Sequence, residues 1–208
     1  MLPRFYPIVD TQLLDRRGFD AMLYAATLID EGARILQIRH KARLTRSAFE
    51  LITRIRTRAH DAGVLCIIND RADVAAILNA GLHLGQDDLP PALARRVAPS
   101  ALTGFSTHNE AQAARAAHEP IDYLAIGPVF ETSTKDNPDP VIGTSGVTAV
   151  RKITHLPLVA IGGITAESAP QVLAAGAASI AVIGDLAPEG LTLDILRERI
   201  RIWLEATK

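Results

Sequence analysis

The sequence is predicted to fold as a single (β/α)8 TIM barrel of the α/β class, with one catalytic domain over residues 1–208. Three observations lead there. Strand-like and helix-like segments alternate from end to end, and eight of each can be counted. The strand segments are short and apolar on both faces, as parallel strands covered by helices require. Glycine or polar residues bound them, and no G-x-G-x-x-G follows the first strand, which weakens the open, dinucleotide-binding alternative. A chain of 208 residues with 48% hydrophobic residues can bury a core of this kind, near the lower end of the barrel size range.

Each element has its own warrant. Arg4–Val9 is a short apolar and aromatic run ending at Asp10. Gly18–Glu31 has helical periodicity, with Phe19, Met22, Leu23, Ala26 and Ile29 near one face and Gly32 as the stop. Ile35–Arg39 is the second strand. Ser47 opens the next helix, where Glu50 three residues on completes a capping-box pattern, and Gly63 ends it after Ala62. Val64–Ile68 is the third strand, Asp73–Asn79 a short helix, and Leu82–Leu84 the fourth strand. Pro90 and Pro91 suit the first turn of a helix through Val97. Leu102–Ser106 is the fifth strand, and Asn109 caps a helix through Ala117. Tyr123–Ile126 is the sixth strand. Gly127–Gly143, with three prolines, is too long for a plain connection and is read as a lid-like loop. Ser145–Ile153, Leu158–Ile161, Ser168–Ala175 and Ser179–Ile183 complete the alternation, and Leu191–Thr207 closes the chain as an amphipathic helix carrying Trp203.

Bulk composition excludes several functions. Lys and Arg number 22 against 23 Asp and Glu, giving a net charge of −1, so the chain lacks the basic surface of a general nucleic-acid binder. Aromatics are 4%, which argues against a base-stacking platform. No uncharged apolar run reaches the ~18 residues of a membrane span, and no signal-peptide core precedes Asp10. The one cysteine, Cys66, lies in an apolar strand and is read as a buried inert thiol; with no intrachain disulfide available, a cytoplasmic location is expected. A homodimer is left open.

In a barrel the active site lies at the C-terminal ends of the strands, and reactive residues concentrate there. Strand two ends in Gln37-Ile38-Arg39-His40-Lys41; alternation puts Gln37, Arg39 and Lys41 on one face. A solvated strand-to-helix loop would also carry Arg and Lys. Strand three ends in Asn69-Asp70-Arg71 and strand four in Gln86-Asp87-Asp88. Carboxylates at adjacent rims can hold Mg²⁺, which takes one or two carboxylates with waters and phosphate oxygens. Spacing alone does not choose between Asp87 and Asp88, and Asn and Asp also serve as turn and cap residues. No His/Cys cluster has zinc-ligand spacing. Ser106 after strand five is a site residue or a cap, no G-x-S-x-G elbow accompanies it, and His108 is read as structural before general base. Thr132, Thr134 and Lys135 after strand six suit a phosphate or heterocycle. Gly162-Gly163 after strand seven and Gly184 after strand eight occupy the usual barrel phosphate site. One rim area thus fits a pyrophosphate and another a monophosphate, which implies group transfer between two small phosphorylated substrates.

In order along the chain, Gln37-x-Arg39-x-Lys41, Asn69-Asp70-Arg71, His83-Leu84-Gly85-Gln86-Asp87-Asp88-Leu89, Gly104-x-Ser106-x-His108, Gly127-Pro128-Val129-Phe130-x-Thr132-x-Thr134-Lys135 and Ala160-Ile161-Gly162-Gly163-Ile164 resemble the thiamine-phosphate synthase (thiamine-phosphate pyrophosphorylase) family. The resemblance implies a transferase of thiamine biosynthesis that joins the hydroxymethylpyrimidine diphosphate to the thiazole phosphate with Mg²⁺, releasing pyrophosphate. Carried over by position, Gln37, Arg39, Lys41 and Asn69 hold the pyrimidine diphosphate, and Ser106 and Lys135 contact the same substrate. Arg39, Lys41, Ser106 and Lys135 are the catalytic set. Asp70 and Asp88 bind Mg²⁺, which selects Asp88 over Asp87. Thr132, Thr134, Gly163, Ile183 and Gly184 hold the thiazole phosphate. Four positions depart from the family pattern: His40 stands where an acid is usual, Gly184 where Ser is frequent, Asp185 where a small residue is, and Asp136 where Lys or Thr is common. Asp185 would repel a phosphate if it pointed inward. The competing readings are the related thiazole tautomerase, with His108 as acid or base, and a phospholigand-binding barrel without turnover.

Overall fold

The computed structural model describes residues 2–132 and 139–208. Eight strands close into one parallel barrel in sequence order: β1 (Phe5–Asp10), β2 (Ile35–Arg39), β3 (Leu65–Asn69), β4 (Gly81–Leu84), β5 (Thr103–Thr107), β6 (Tyr123–Ile126), β7 (Leu158–Ile161) and β8 (Ser179–Val182). β1 pairs with both β2 and β8, so no strand edge is left open. Helices cover the outside: α1 (Thr11–Arg16), α2 (Ala21–Asp30), α3 (Arg46–Asp61), α4 (Ala72–Leu78), α5 (Pro91–Val97), α6 (Glu110–Ala116), α7 (Gly143–Ile153), α8 (Ala169–Ala174) and α9 (Leu193–Ala206). A single 3₁₀ turn, Gly184–Leu186, follows β8.

The alternation predicted from sequence is the alternation observed, with element ends shifted by up to three residues; three differences have a clear physical cause. First, the sequence reading assigns residues 11–17 to no element, and α1 forms there. It is only six residues long, too short for a periodic signal, and forms because the Asp10 carboxylate accepts from the Gln12 and Leu13 amides at 3.1 and 3.0 Å. Second, the cap of α3 is Thr45 rather than Ser47. Thr45 has the extended backbone a cap needs, and its Oγ1 accepts from Ala48 N at 3.2 Å, so Ser47 already lies inside the helix. Third, α4 stops at Leu78, and Asn79 adopts the left-handed conformation (φ 47°) that ends it.

Two apolar layers result. The larger lies between sheet and helices; it includes Trp203 of α9, stacked on Phe5 of β1 at 6.0 Å between ring centroids. The smaller fills the barrel interior with Tyr6, Ile8, Ile35, Ile67, Tyr123, Ala125, Val159 and Ala181 among others. Side chains two residues apart on a strand share a face. Climbing the interior face therefore leads from packing to chemistry: Tyr6, Ile8, Asp10 on β1; Ile35, Gln37, Arg39 on β2; Ile67 and Asn69 on β3; Gly104 and Ser106 on β5. Cys66 faces the helices and is buried, as expected, and burial pushes its thiol up to about 12, which disfavours the reactive thiolate. Among the described residues no helix is long and apolar enough to cross a membrane.

Candidate active site

The strand ends open into one cavity of about 1370 Å³ at the C-terminal mouth of the barrel. That is more room than a typical single-ligand pocket needs. A second cavity of about 430 Å³ lies beside α6 and α7, and Glu110 is the titratable residue in its lining; it gathers no comparable set.

One side of the mouth carries the charges. Asp10 is 4% exposed and lies in register with Arg39, whose Nη1 it pairs with. The same carboxylate caps α1, so helix and guanidinium are held by one group. Two residues on, Lys41 reaches Asp70 Oδ2 at 2.5 Å. Asp70 is held in the left-handed region (φ 64°), with its amide donating to the His83 carbonyl at 2.7 Å. Asp88 meets Asp70 side chain to side chain and also accepts from the Gly85 amide at 2.7 Å. Burial and the Asp88 carboxylate push the Asp70 carboxyl above its usual value, with Lys41 opposing them. Asp87 is exposed. The carboxylate brought against Asp70 is thus the second acid of the pair.

This donor set suits a hard divalent cation. Two carboxylates from adjacent strands converge, Asp70 is energetically uneasy as an anion beside Asp88, and the buried Asn69 Nδ2 next to it has no hydrogen-bond partner. Among the described residues no group of three or more His, Cys, Asp or Glu assembles, so further ligands would come from water and phosphate, as Mg²⁺ prefers.

The opposite side is built from backbone. Gly162 (φ 96°) and Gly163 (φ 66°) follow β7, and Gly163 approaches the loop after β6 so closely that a Cβ on it would lie 2.3 Å from the Glu131 carbonyl oxygen. Phe130 N donates to the Gly162 carbonyl at 2.9 Å, locking the two loops together. Thr132, Ile183 and Gly184 line the same wall. Thr134 and Lys135 lie outside the described residues.

Asp185 lines the same cavity, but both of its carboxylate oxygens are engaged by the last helix. Its Oδ2 accepts from Trp203 Nε1 at 2.7 Å, and its Oδ1 meets Arg199 at 3.2 Å. The expected repulsion of a phosphate is therefore relieved by turning the carboxylate toward α9. Asp185→Ala is expected to destabilise by about 1–3 kcal/mol through the orphaned indole N–H. The Michaelis constant for a phosphorylated ligand at this wall should stay within about twofold. Thermal denaturation and steady-state kinetics check both.

His108 sits at the rim with Nδ1 2.7 Å from the Gly127 carbonyl oxygen and 3.3 Å from Asp139 Oδ2. It ties β5 to the start of the loop after β6, in line with a structural role. His40, on the face away from Arg39, meets Thr11 Oγ1 at 2.8 Å.

Four residues near the site escaped the sequence reading: Asp10, Tyr6, His83 and Tyr123. Strand alternation was a usable signal for the first two, because Tyr6, Ile8 and Asp10 share a face with the predicted site. His83 stood in the quoted segment after strand four but was given no role, and Tyr123 sat inside a run read simply as a short strand.

A sequence profile of the thiamine monophosphate synthase family matches residues 5–186. Thiamine-phosphate synthase of Koribacter versatilis is 47% identical over 191 residues, covering 89% of each chain. That of Chloroflexus aurantiacus is 42% identical over 181 residues, 86% of this chain and 83% of the relative. The solved structure of thiamine phosphate pyrophosphorylase from Pyrococcus furiosus superimposes with a TM-score of 0.85 at 29% identity, over 98% of this chain and 95% of that one. The barrel, its two-sided mouth and these likenesses converge: the chain belongs to the thiamine monophosphate synthase family.

Proposed function

We infer that this chain, a thiamine-phosphate synthase by family, couples 4-amino-2-methyl-5-(diphosphooxymethyl)pyrimidine with the thiazole phosphate by a dissociative route. The observation that carries the reading is the division of one cavity into a charged side, Arg39, Lys41, Asp70 and Asp88, and a backbone cradle at Gly162 and Gly163. The diphosphate belongs on the first and the monophosphate on the second.

The pyrimidine methylene C–O bond breaks, and both its electrons leave with pyrophosphate. Arg39 and Lys41 lie where that negative charge grows, in a partly buried site where fixed cations act strongly. Asn69, in the cavity lining, supplies through Nδ2 a desolvated donor that has no partner within the protein. Asp70 and Asp88 would hold Mg²⁺, which when bound neutralises charge on the leaving group. Lys135 is proposed as a further cation on the loop after β6. The transient carbocation, supported by the electron-rich aminopyrimidine, is captured by the thiazole nitrogen, forming the C–N bond. The glycine cradle, with Thr132, Thr134, Ile183 and Gly184, fixes the thiazole phosphate so that this nitrogen is the nearest nucleophile. No protein nucleophile enters the balance. The proposed setting is the cytoplasm, which the free, buried Cys66 supports.

The test is to incubate both substrates with Mg²⁺ and quantify products. Thiamine phosphate and pyrophosphate should appear in equal amounts, and chelation should stop both. Folded protein that yields neither, or that isomerises a thiazole carboxylate phosphate without coupling, overturns the reading.

A further inference from the structure

Five polar side chains from five strands form a continuous hydrogen-bonded chain through the barrel interior. Gln37 Nε2 lies 3.0 Å from Tyr6 Oη, Tyr6 Oη 3.0 Å from Tyr123 Oη, Tyr123 Oη 3.0 Å from His83 Nδ1, and His83 Nε2 2.9 Å from Ser106 Oγ. Gln37, Tyr6, His83 and Ser106 line the cavity, and Tyr123 between them is fully buried. Gly104 makes the path possible: any Cβ there would fall 2.0 Å from the Tyr123 ring, which instead stacks on His83 at 5.6 Å between centroids.

We propose that this chain is a one-way relay, running from Gln37 to Ser106, that fixes His83 as the Nε2–H tautomer and turns the Ser106 hydroxyl hydrogen into the mouth as a donor to the diphosphate. The direction follows from the donor inventory. An amide nitrogen only donates, so Tyr6 oxygen accepts from Gln37, and among the described residues Tyr123 oxygen is the acceptor that remains for the Tyr6 hydrogen, which would otherwise be buried without a partner. Tyr123 then donates to His83 Nδ1, which leaves the other ring nitrogen protonated. Nε2–H donates to Ser106 Oγ, so the Ser106 hydrogen is not consumed within the chain. Burial pushes both phenols well above their usual value, which keeps them neutral donors. The reverse direction would have Ser106 donate to His83 and present lone pairs to phosphate oxygens, which repel them. Direction therefore decides whether Ser106 helps or hinders an anionic leaving group. Tyr6, Tyr123 and His83 act here as positioning residues.

The donor role of Ser106 rests on the synthase reading; the tautomer does not, so the two can fail separately. Long-range proton–nitrogen NMR of ¹⁵N-histidine protein, with His83 assigned through His83→Gln, should give a bare Nδ1 and a protonated Nε2. The opposite tautomer overturns the relay whatever the activity. Tyr123→Phe deletes one oxygen and keeps the stacking ring. It should cost about tenfold in kcat, move KM for the pyrimidine diphosphate less than about twofold, and release the tautomer preference of His83. Unchanged kcat with an unchanged tautomer also overturns it. If Tyr123→Phe does not fold, Tyr6→Phe breaks the preceding link and is read in the same way.

Discussion

Asp70→Asn should keep the fold and lose about 10²–10³ in turnover, the scale on which removal of a single group that stabilises transition-state charge is felt. The backbone tolerates the change, because Asn is one of the few residues that accept the φ of 64° found there, and its amide still donates to the His83 carbonyl. Electrostatics favour it. Burial and Asp88 raise the Asp70 carboxyl in the folded protein, so the folded state holds its proton more tightly than the unfolded chain does. Wild-type stability should accordingly fall as pH rises from the ordinary carboxylate value through the raised one, and remain reduced above it. Asn carries no such component. Asp70→Asn is therefore expected to melt at or above the wild-type temperature at neutral pH while being nearly inactive. A variant that loses both stability and activity would show that Asp70 is structural. Calorimetry across pH together with the coupling assay separates the two outcomes.

Gly163→Ala should damage the opposite wall. Its φ of 66° costs an alanine about 1–2 kcal/mol. The new methyl carbon would also sit 2.3 Å from the Glu131 carbonyl oxygen and 2.7 Å from the Phe130 carbonyl group, both backbone and unable to move aside cheaply. Overpacking of this kind adds about 1–3 kcal/mol. The summed loss corresponds to a drop in Tm of roughly 5–15 °C for a chain of this size. KM for the thiazole phosphate should rise at least about tenfold, because the cradle amides are displaced, while pyrophosphate binding on the far side stays close to wild type. A rise confined to the pyrimidine diphosphate would place the monophosphate elsewhere.

Much of this was legible in the residues. The barrel was, because short apolar runs alternating with amphipathic helices have few other solutions, and the mouth was, because Gln37, Arg39, Asn69, Asp70, Ser106 and Gly163 sit at strand ends. What stayed hidden depends on contacts between distant segments. Asp10 caps α1 and holds Arg39 at once, and neither task is visible in a single residue after an apolar run. The role of Gly104 appears only when Tyr123, one strand over, fills the space its missing side chain leaves. The carboxylate of Asp185 looked hostile to phosphate until Trp203 and Arg199 of the last helix were found to hold it away. The relay from Gln37 to Ser106 joins five strands and has no local signature at all.

The central claim is that the diphosphate and its metal occupy the charged side of the mouth, facing a separate monophosphate cradle. A crystal structure of the protein with Mg²⁺, pyrophosphate and the thiazole phosphate tests it most directly. The account predicts the metal between the Asp70 and Asp88 carboxylates, pyrophosphate oxygens on Arg39, Lys41 and Ser106, and the monophosphate on the Gly163 and Gly184 amides. Pyrophosphate seated on the glycine cradle, or a metal bound without Asp70 and Asp88, would contradict it.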